Sequence, residues 1–200
     1  MTTRFMRGIT KKKTILNLST IKVSKPSTLK QAFKDPNWTK AMEMEIVALH
    51  RNHIWDLVEQ PLNVNVIGCK WVYKLKHKPD GSIERYKVRL VAKWYNQTHG
   101  LDYFETFSPV VKATTIRIIL TVAISFKWEI QHVDVHNAFL NGELEEQVYM
   151  SQPLGYFDTQ FPNRVCRLKK ALYGLKQAPW AWFQRLSSAL LQWGQHVSDW

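Results

Sequence analysis

Cys69-Lys70-Trp71-Val72-Tyr73-Lys74-Leu75-Lys76, Lys78-Pro79-Asp80-Gly81-Ser82 and Glu84-Arg85-Tyr86-Lys87-Val88-Arg89-Leu90-Val91-Ala92-Lys93 are two β-rich runs around a turn. Proline presets φ and glycine supplies a positive φ, so the middle segment reverses the chain and its flanks pair as a hairpin. Side chains alternate across a strand. Trp71, Tyr73 and Leu75 therefore share one face of the first strand, opposite Lys70, Lys74 and Lys76. On the second strand Tyr86, Val88, Leu90 and Ala92 alternate with Arg85, Lys87, Arg89 and Val91. One face is apolar and needs a core. The other is cationic: of its charged residues, counting Lys70 and Glu84 at the strand ends, only Glu84 is negative. A plain solvent face usually mixes signs, so anion binding is the favoured reading and solvation the alternative.

Working outward, Asp35-Pro36 reads as an N-cap followed by proline at the first helical position. Trp38, Ala41, Met42, Glu45 and Leu49 continue at helical spacing, and Asn52 stops the helix. His53 to Val58 suggests a short strand, and residues 59–67 a loop. Beyond the hairpin, residues 94–113 read as irregular. Thr114 or Thr115 caps a helix to about Phe126, with Ile116, Ile119, Leu120 and Ala123 on one side. Glu129 to Val135 reads as a strand, followed through Asn141-Gly142 by a second near Gln147–Met150. Gln152 to Tyr156 is a loop and Val165 to Leu168 a brief strand. Ala171 to Pro179 turns into a helix in which Trp182, Leu186, Leu190 and Trp193 recur at helical spacing, the two tryptophans read as core, and Gly194 is the stop.

The chain has 200 residues, 45% of them hydrophobic, nine tryptophans and a net charge of +12. That suits one domain with a core, plus a tail. Eight cations and no acid lie in the first 30 residues, so only +4 belongs to the rest. Residues 1–28 read as a basic, disordered linker and 29–200 as the domain; Lys11 to Lys13 reads as part of that linker or as a nuclear signal. The net charge calls for a polyanionic partner, most simply nucleic acid. Cys69 and Cys166 are far apart with no metal-ligand spacing, which argues against zinc or a disulfide framework and for a reducing compartment. No apolar run reaches membrane-spanning length, and the basic N-terminus lacks the apolar core of a secretion signal.

Asp134, in His132-Val133-Asp134-Val135-His136-Asn137-Ala138-Phe139, is the residue that suggests chemistry. A carboxylate between valines that read as buried would be costly unless it had a partner. With the Val135 carbonyl it can offer oxygens to Mg²⁺, and Phe139 can wall the same pocket. Most such aspartates only cap turns. Glu143, Glu145 and Glu146 read as solvent-exposed, Asp102 and Glu105 as loop-stabilising, and His132 and His136 as lacking a third metal ligand.

From about Ala32 to Trp193 the chain closely resembles the reverse transcriptase of copia-type LTR retrotransposons. The strings that carry this are Gly68-Cys69-Lys70-Trp71-Val72, Asp80-Gly81-Ser82, Arg85 to Lys93, Gly100-Leu101-Asp102-Tyr103, Glu105 to Lys112, the Asp134 motif and Leu172-Tyr173-Gly174-Leu175-Lys176-Gln177-Ala178-Pro179. The N-terminal tail resembles the basic linker between integrase and polymerase in these polyproteins. The resemblance implies an α+β right-hand polymerase: fingers carrying the hairpin, and a partial palm carrying Asp134. It implies Asp134 as first catalytic carboxylate and Mg²⁺ ligand, assisted by the Val135 carbonyl. Phe139 would lie under the incoming sugar. Lys74, Lys76, Lys87 and Arg89 are triphosphate candidates by alternation, and Tyr173, Gly174, Lys176 and Gln177 would contact template and base pair. RNA template, DNA primer, dNTPs and the remaining Pol polyprotein (integrase upstream; palm, thumb and RNase H downstream) are the implied partners. A cytoplasmic virus-like particle is the implied location.

The family's second catalytic element, a Tyr-x-Asp-Asp turn, is absent from this chain. The expectation is therefore a fragment of the domain, inactive alone. A non-catalytic nucleic-acid-binding fragment and a functionless relic are the alternatives. Trp94 stands where the family usually has glycine, and Trp180 where it usually has arginine. A large ring at 94 is expected to clash if that position needs positive φ or close approach.

Overall fold

The computed structural model describes residues 25–104, 106 and 111–197, with the side chains of 195–197 left aside. It is a mixed α and β fold. Thr28 caps a short helix α1 (Leu29–Ala32), accepting the Gln31 N–H. Asp35 then accepts the Asn37 N–H to start α2 (Pro36–Arg51), with proline in its first turn, and Asn52 ends it. Trp38, Met42, Ile46 and Leu49 form its buried stripe.

Four strands make the larger sheet: β1 (Trp55–Val58), β2 (Val66–Ile67), β5 (Glu143–Met150) and β6 (Val165–Lys170), in the order β1-β6-β5-β2. β6 is antiparallel to both β1 and β5, and β2 runs parallel to β5. The residues read as a loop at 59–67 thus end in a two-residue strand. Two residues give no periodicity, and only the β5 edge defines them. The hairpin is a separate two-stranded sheet, β3 (Cys69–His77) and β4 (Ile83–Ala92), in the register Trp71↔Leu90, Tyr73↔Val88 and Lys74↔Lys87. That register puts Lys70, Lys74 and Lys76 on the same face as Arg85, Lys87 and Arg89, as alternation required.

The apolar hairpin face divides between two cores. Near its tip, Trp38 of α2 packs edge-on against Tyr73 and Tyr86 at 5.5 and 4.8 Å between ring centroids. Nearer its base, Cys69, Leu90 and Ala92 join the sheet core of Ile67, Val148, Met150, Cys166, Leu168 and Leu172. Both thiols are free and buried, and burial pushes that of Cys166 up to about 12.

Helix α3 (Ala113–Ser125) begins two or three residues earlier than a threonine cap at 114 or 115 would set. Its N-cap is Lys112, without a side-chain cap bond. Its aliphatic side chains do not form a core face: Ile116, Ile119 and Leu120 are exposed and only Ala123 is buried. Glu129 to Val135 forms no strand. No described strand pairs with it, and an isolated strand leaves its backbone groups without ladder partners. The valines flanking Asp134 are exposed, at 75% for Val133 and 38% for Val135. Helix α4 (Ala178–Val197) runs through Gly194, whose missing Cβ faces open space. Isolated glycine weakens a helix without ending it. Trp182 is half-buried, whereas Trp193 is 70% exposed and not a core residue.

Candidate functional site

A cleft of about 630 Å³ opens between α2, β4 and the segment ending in the 3-10 turn Ala138–Asn141. Arg85, Lys87 and Arg89 come from β4, Asp134 and Phe139 from the opposite wall, and Tyr173 and Glu45 from the sides. Asn137 takes a left-handed conformation (φ 51°), tolerable for asparagine, and this turns the chain so that Phe139 enters the cleft wall. Phe139 meets Tyr173 edge-on at 5.6 Å.

Tyr173 is the hinge of this arrangement. Its carbonyl accepts the Ala92 N–H at 2.7 Å, tying the loop after β6 to the end of β4. Its ring lies under the Arg89 guanidinium, 4.1 Å from the centroid. A guanidinium stacked on an aromatic face keeps its N–H donors free for an anion. Lys87 is held below the ordinary lysine value, by desolvation first and then by Arg89, Arg85 and Lys76, with Glu45 opposing. Among the described residues the ion pairs are Arg167–Asp56 and Lys169–Asp56, both away from the cleft. The cationic wall therefore has unspent charge.

Glu45 was legible only as a polar intruder on α2. It is half-buried, and its carboxylate accepts the Leu90 N–H at 3.4 Å, with Lys87, Arg89 and His136 nearby. Desolvation raises its pKa above the ordinary carboxylate value, outweighing those favourable partners. Below the ordinary value both folded and unfolded chains hold the proton, so Glu45 costs nothing. As pH rises past it the unfolded chain ionises first, and stability falls until the folded carboxyl also ionises. Glu45→Gln keeps an acceptor for Leu90. It should match the native protein near pH 4 and be the more stable at pH 7, as read from urea midpoints across pH.

The structure separates the other expected site residues. Lys74 and Lys76 share the hairpin face but lie outside the cleft lining. Gly174 (φ +89°) sits where a Cβ would meet the Ala92 carbonyl oxygen, so only glycine lets the loop touch β4. Gln177 is buried. It accepts from Gln97 Nε2 at 2.9 Å and donates to the Asp102 carbonyl at 2.8 Å. Gln97 Oε1 also accepts the Lys176 N–H at 2.9 Å. Asp102 is buried as well, accepting from Asn65 Nδ2 at 2.6 Å and Thr98 N at 2.7 Å, the loop-stabilising role expected of it. Glu105 lies outside the described residues.

Asp134 is exposed and irregular backbone carries it. Its carboxylate and the Val135 carbonyl are the oxygens this segment offers. No group of three metal-ligating side chains exists among the described residues. Glu143 and Glu145 are exposed, and with Glu146 they line a different cleft of about 440 Å³ beside Trp180. Mg²⁺ demands near-octahedral oxygen ligation, and this donor set alone does not fit it.

The reverse transcriptase (RNA-dependent DNA polymerase) family matches residues 52–199, most of the chain and every element from β1 onward. The chain belongs to that family. Similar proteins include the retrovirus-related Pol polyprotein from transposon RE1 of Arabidopsis thaliana, 53% identical over all of this chain and 14% of its own length. The corresponding polyprotein from transposon TNT 1-94 of Nicotiana tabacum is 45% identical over 82% of this chain and 12% of its own. An uncharacterized mitochondrial protein of Arabidopsis thaliana is 47% identical over 62% of this chain and 74% of its own. The chain thus spans about one seventh of the first polyprotein. No solved structure matches it.

In this reverse transcriptase domain three of the copia-type strings contribute to the cleft walls: the Arg85 to Lys93 string supplies most of β4, the Asp134 motif the opposite wall, and the Leu172 to Pro179 string holds Tyr173 against β4. Glu45 and Gln97 were missed as site-building residues because neither belongs to a motif. Glu45 showed only as a polar residue in an apolar helical stripe, and Gln97 stands among polar neighbours and carried no signal; burial alone distinguishes either from a surface residue. Trp94 is the converse. It opens a 3-10 turn (Trp94–Asn96), has no positive φ, and lies 56% exposed, so the anticipated clash does not occur. No described helix is long and apolar enough to cross a membrane.

Proposed function

We propose that the cleft is the nucleotide-binding half of a reverse transcriptase active site. The hairpin corresponds to fingers and the Asp134 segment with the four-stranded sheet to part of a palm. Residues 1–28 are a linker and 29–200 the domain. The observation that carries the reading is Arg89 and Lys87 facing Asp134 and Phe139 across one opening. In this reading Arg89, stacked on Tyr173, and Lys87 grip the triphosphate of a dNTP. Phe139 lies under its sugar. Tyr173 and Lys176 face the base pair and template, while Gly174 and Gln177 shape the loop from within. Lys74 and Lys76 extend the cationic surface toward RNA template and DNA primer.

A divalent cation, Mg²⁺ by the chemistry of carboxylate and phosphate oxygens, would neutralise the phosphates during transfer. Asp134 would contribute to its site only with further carboxylates. The protein's own part is binding and orientation. Arg89→Ala should raise the Kd for a dNTP about tenfold to a hundredfold, the scale of a lost charge-assisted contact. Calorimetric titration checks this, and an unchanged Kd rejects the cleft. Primer extension by the 200-residue chain should be undetectable. Template-dependent synthesis that Asp134→Asn abolishes would contradict the half-site description.

The continuous cationic hairpin face favours a second reading, a nucleic-acid-binding module acting without catalysis. It requires sequence-independent binding that weakens steeply with salt. Deleting residues 1–28 should weaken it further, and no binding at low salt eliminates it.

A further inference from the structure

Outside the cleft, Trp94 and Tyr95 stand on the surface, 56% and 59% exposed, with ring centroids 6.1 Å apart at 78°. The turn beneath them is pinned. The Asn96 carbonyl accepts from Asn65, and Gln97 is buried in the network with Gln177 and the Lys176 N–H. Lys176 is fixed in turn. Its Nζ donates to the Tyr103 hydroxyl at 2.7 Å, lies 4.3 Å from the Tyr103 ring centroid and 5.8 Å from that of Trp94. Lys93, adjacent in sequence, bonds through its N–H to the Gly68 carbonyl at 2.8 Å and continues the strand parity of Arg85, Lys87 and Arg89.

We propose that Trp94, with Tyr95 beside it and Lys176 at its rim, is a base-stacking platform for single-stranded nucleic acid, a binding surface separate from the nucleotide cleft. A flat aromatic face accepts any base, and an ammonium held beside it receives the attached phosphate. The mounting is already rigid, so little ordering cost falls on binding. A neutral apolar partner would leave the Lys176 ammonium facing uncharged surface, whereas a polyanion carrying rings satisfies both the ammonium and the ring beside it. The proposal rests on the reading that this domain handles a nucleic-acid strand, and it extends that reading to a new surface.

Fluorescence anisotropy with two labelled strands of equal length, about twelve nucleotides, tests it: oligo-dT and its abasic counterpart, which keeps the phosphates and lacks the bases. The native chain should prefer oligo-dT. Trp94→Ala should lose about tenfold in affinity for oligo-dT, with unchanged affinity for the abasic strand, for dNTP and an unchanged salt slope. Trp94→Phe should recover most of the loss. Lys176→Met should lower the salt slope by about one on both strands. Equal binding of the two strands by the native chain overturns the platform alone. So does Trp94→Ala behaving as native, or Trp94→Phe binding no better than Trp94→Ala. Failure of the native chain to bind either strand overturns the platform and the nucleic-acid reading together.

Discussion

Gly174→Ala should cost roughly 3–5 kcal/mol of stability, lowering the urea midpoint by about 2 M. Two penalties act at once. The backbone there has φ +89°, a region closed to most L-residues. The new methyl would also fall on the Ala92 carbonyl oxygen and 2.6 Å from Val91 Cγ1. The methyl meets backbone, which cannot rotate away. Retreat of the loop would stretch the Ala92 N–H bond to the Tyr173 carbonyl and lift Tyr173 from beneath Arg89. The variant should therefore lose dNTP affinity even under conditions where it stays folded. A loss below about 1 kcal/mol would mean that the loop does not bear on β4 as described.

Gln177→Leu should cost about 2–3 kcal/mol, because it strands the Gln97 amide and the Asp102 carbonyl in a buried site. The volume change is small, so the penalty is one of unmet hydrogen bonds. Adding Gln97→Leu removes one of the stranded groups but exposes the Lys176 N–H to the same problem. The double variant should cost less than the sum of the two single ones. A positive coupling of this kind, measured by a double-mutant cycle in urea, identifies a shared network. Strict additivity would place the two glutamines in separate environments. The network ties together the stretches around 65, 97–102 and 176–177, giving the segment from Gln97 to Tyr103 its tertiary hydrogen bonds.

Local periodicity made much of the fold legible. The turn chemistry of Pro79 to Ser82 and the alternation on both sides specify the hairpin and its two faces. Asp35, Pro36 and Asn52 bound α2 at the residues the structure uses. Those features depend on neighbours in sequence, so sequence suffices for them. Where a feature needed a distant partner, pattern reading failed. The Glu129 to Val135 segment had no described strand to pair with, and the apolar side of α3 had no described surface to cover it. Gly194 looked like a stop because glycine often is one, yet nothing forces the helix to end there.

The candidate site divides in the same way. By itself the sequence determined the family and the cationic strand face, and it singled out Asp134 and Phe139 as candidates, since these rest on residue type and order. Only the tertiary structure decided that Arg89 stacks on Tyr173 across the cleft from Asp134, that Glu45 caps the edge of β4, and that Gln177 is spent inside the protein. Such facts depend on which distant segments share a volume. Close packing, backbone contact at Gly174 and buried hydrogen bonds fix that sharing, and none of them has a period in sequence.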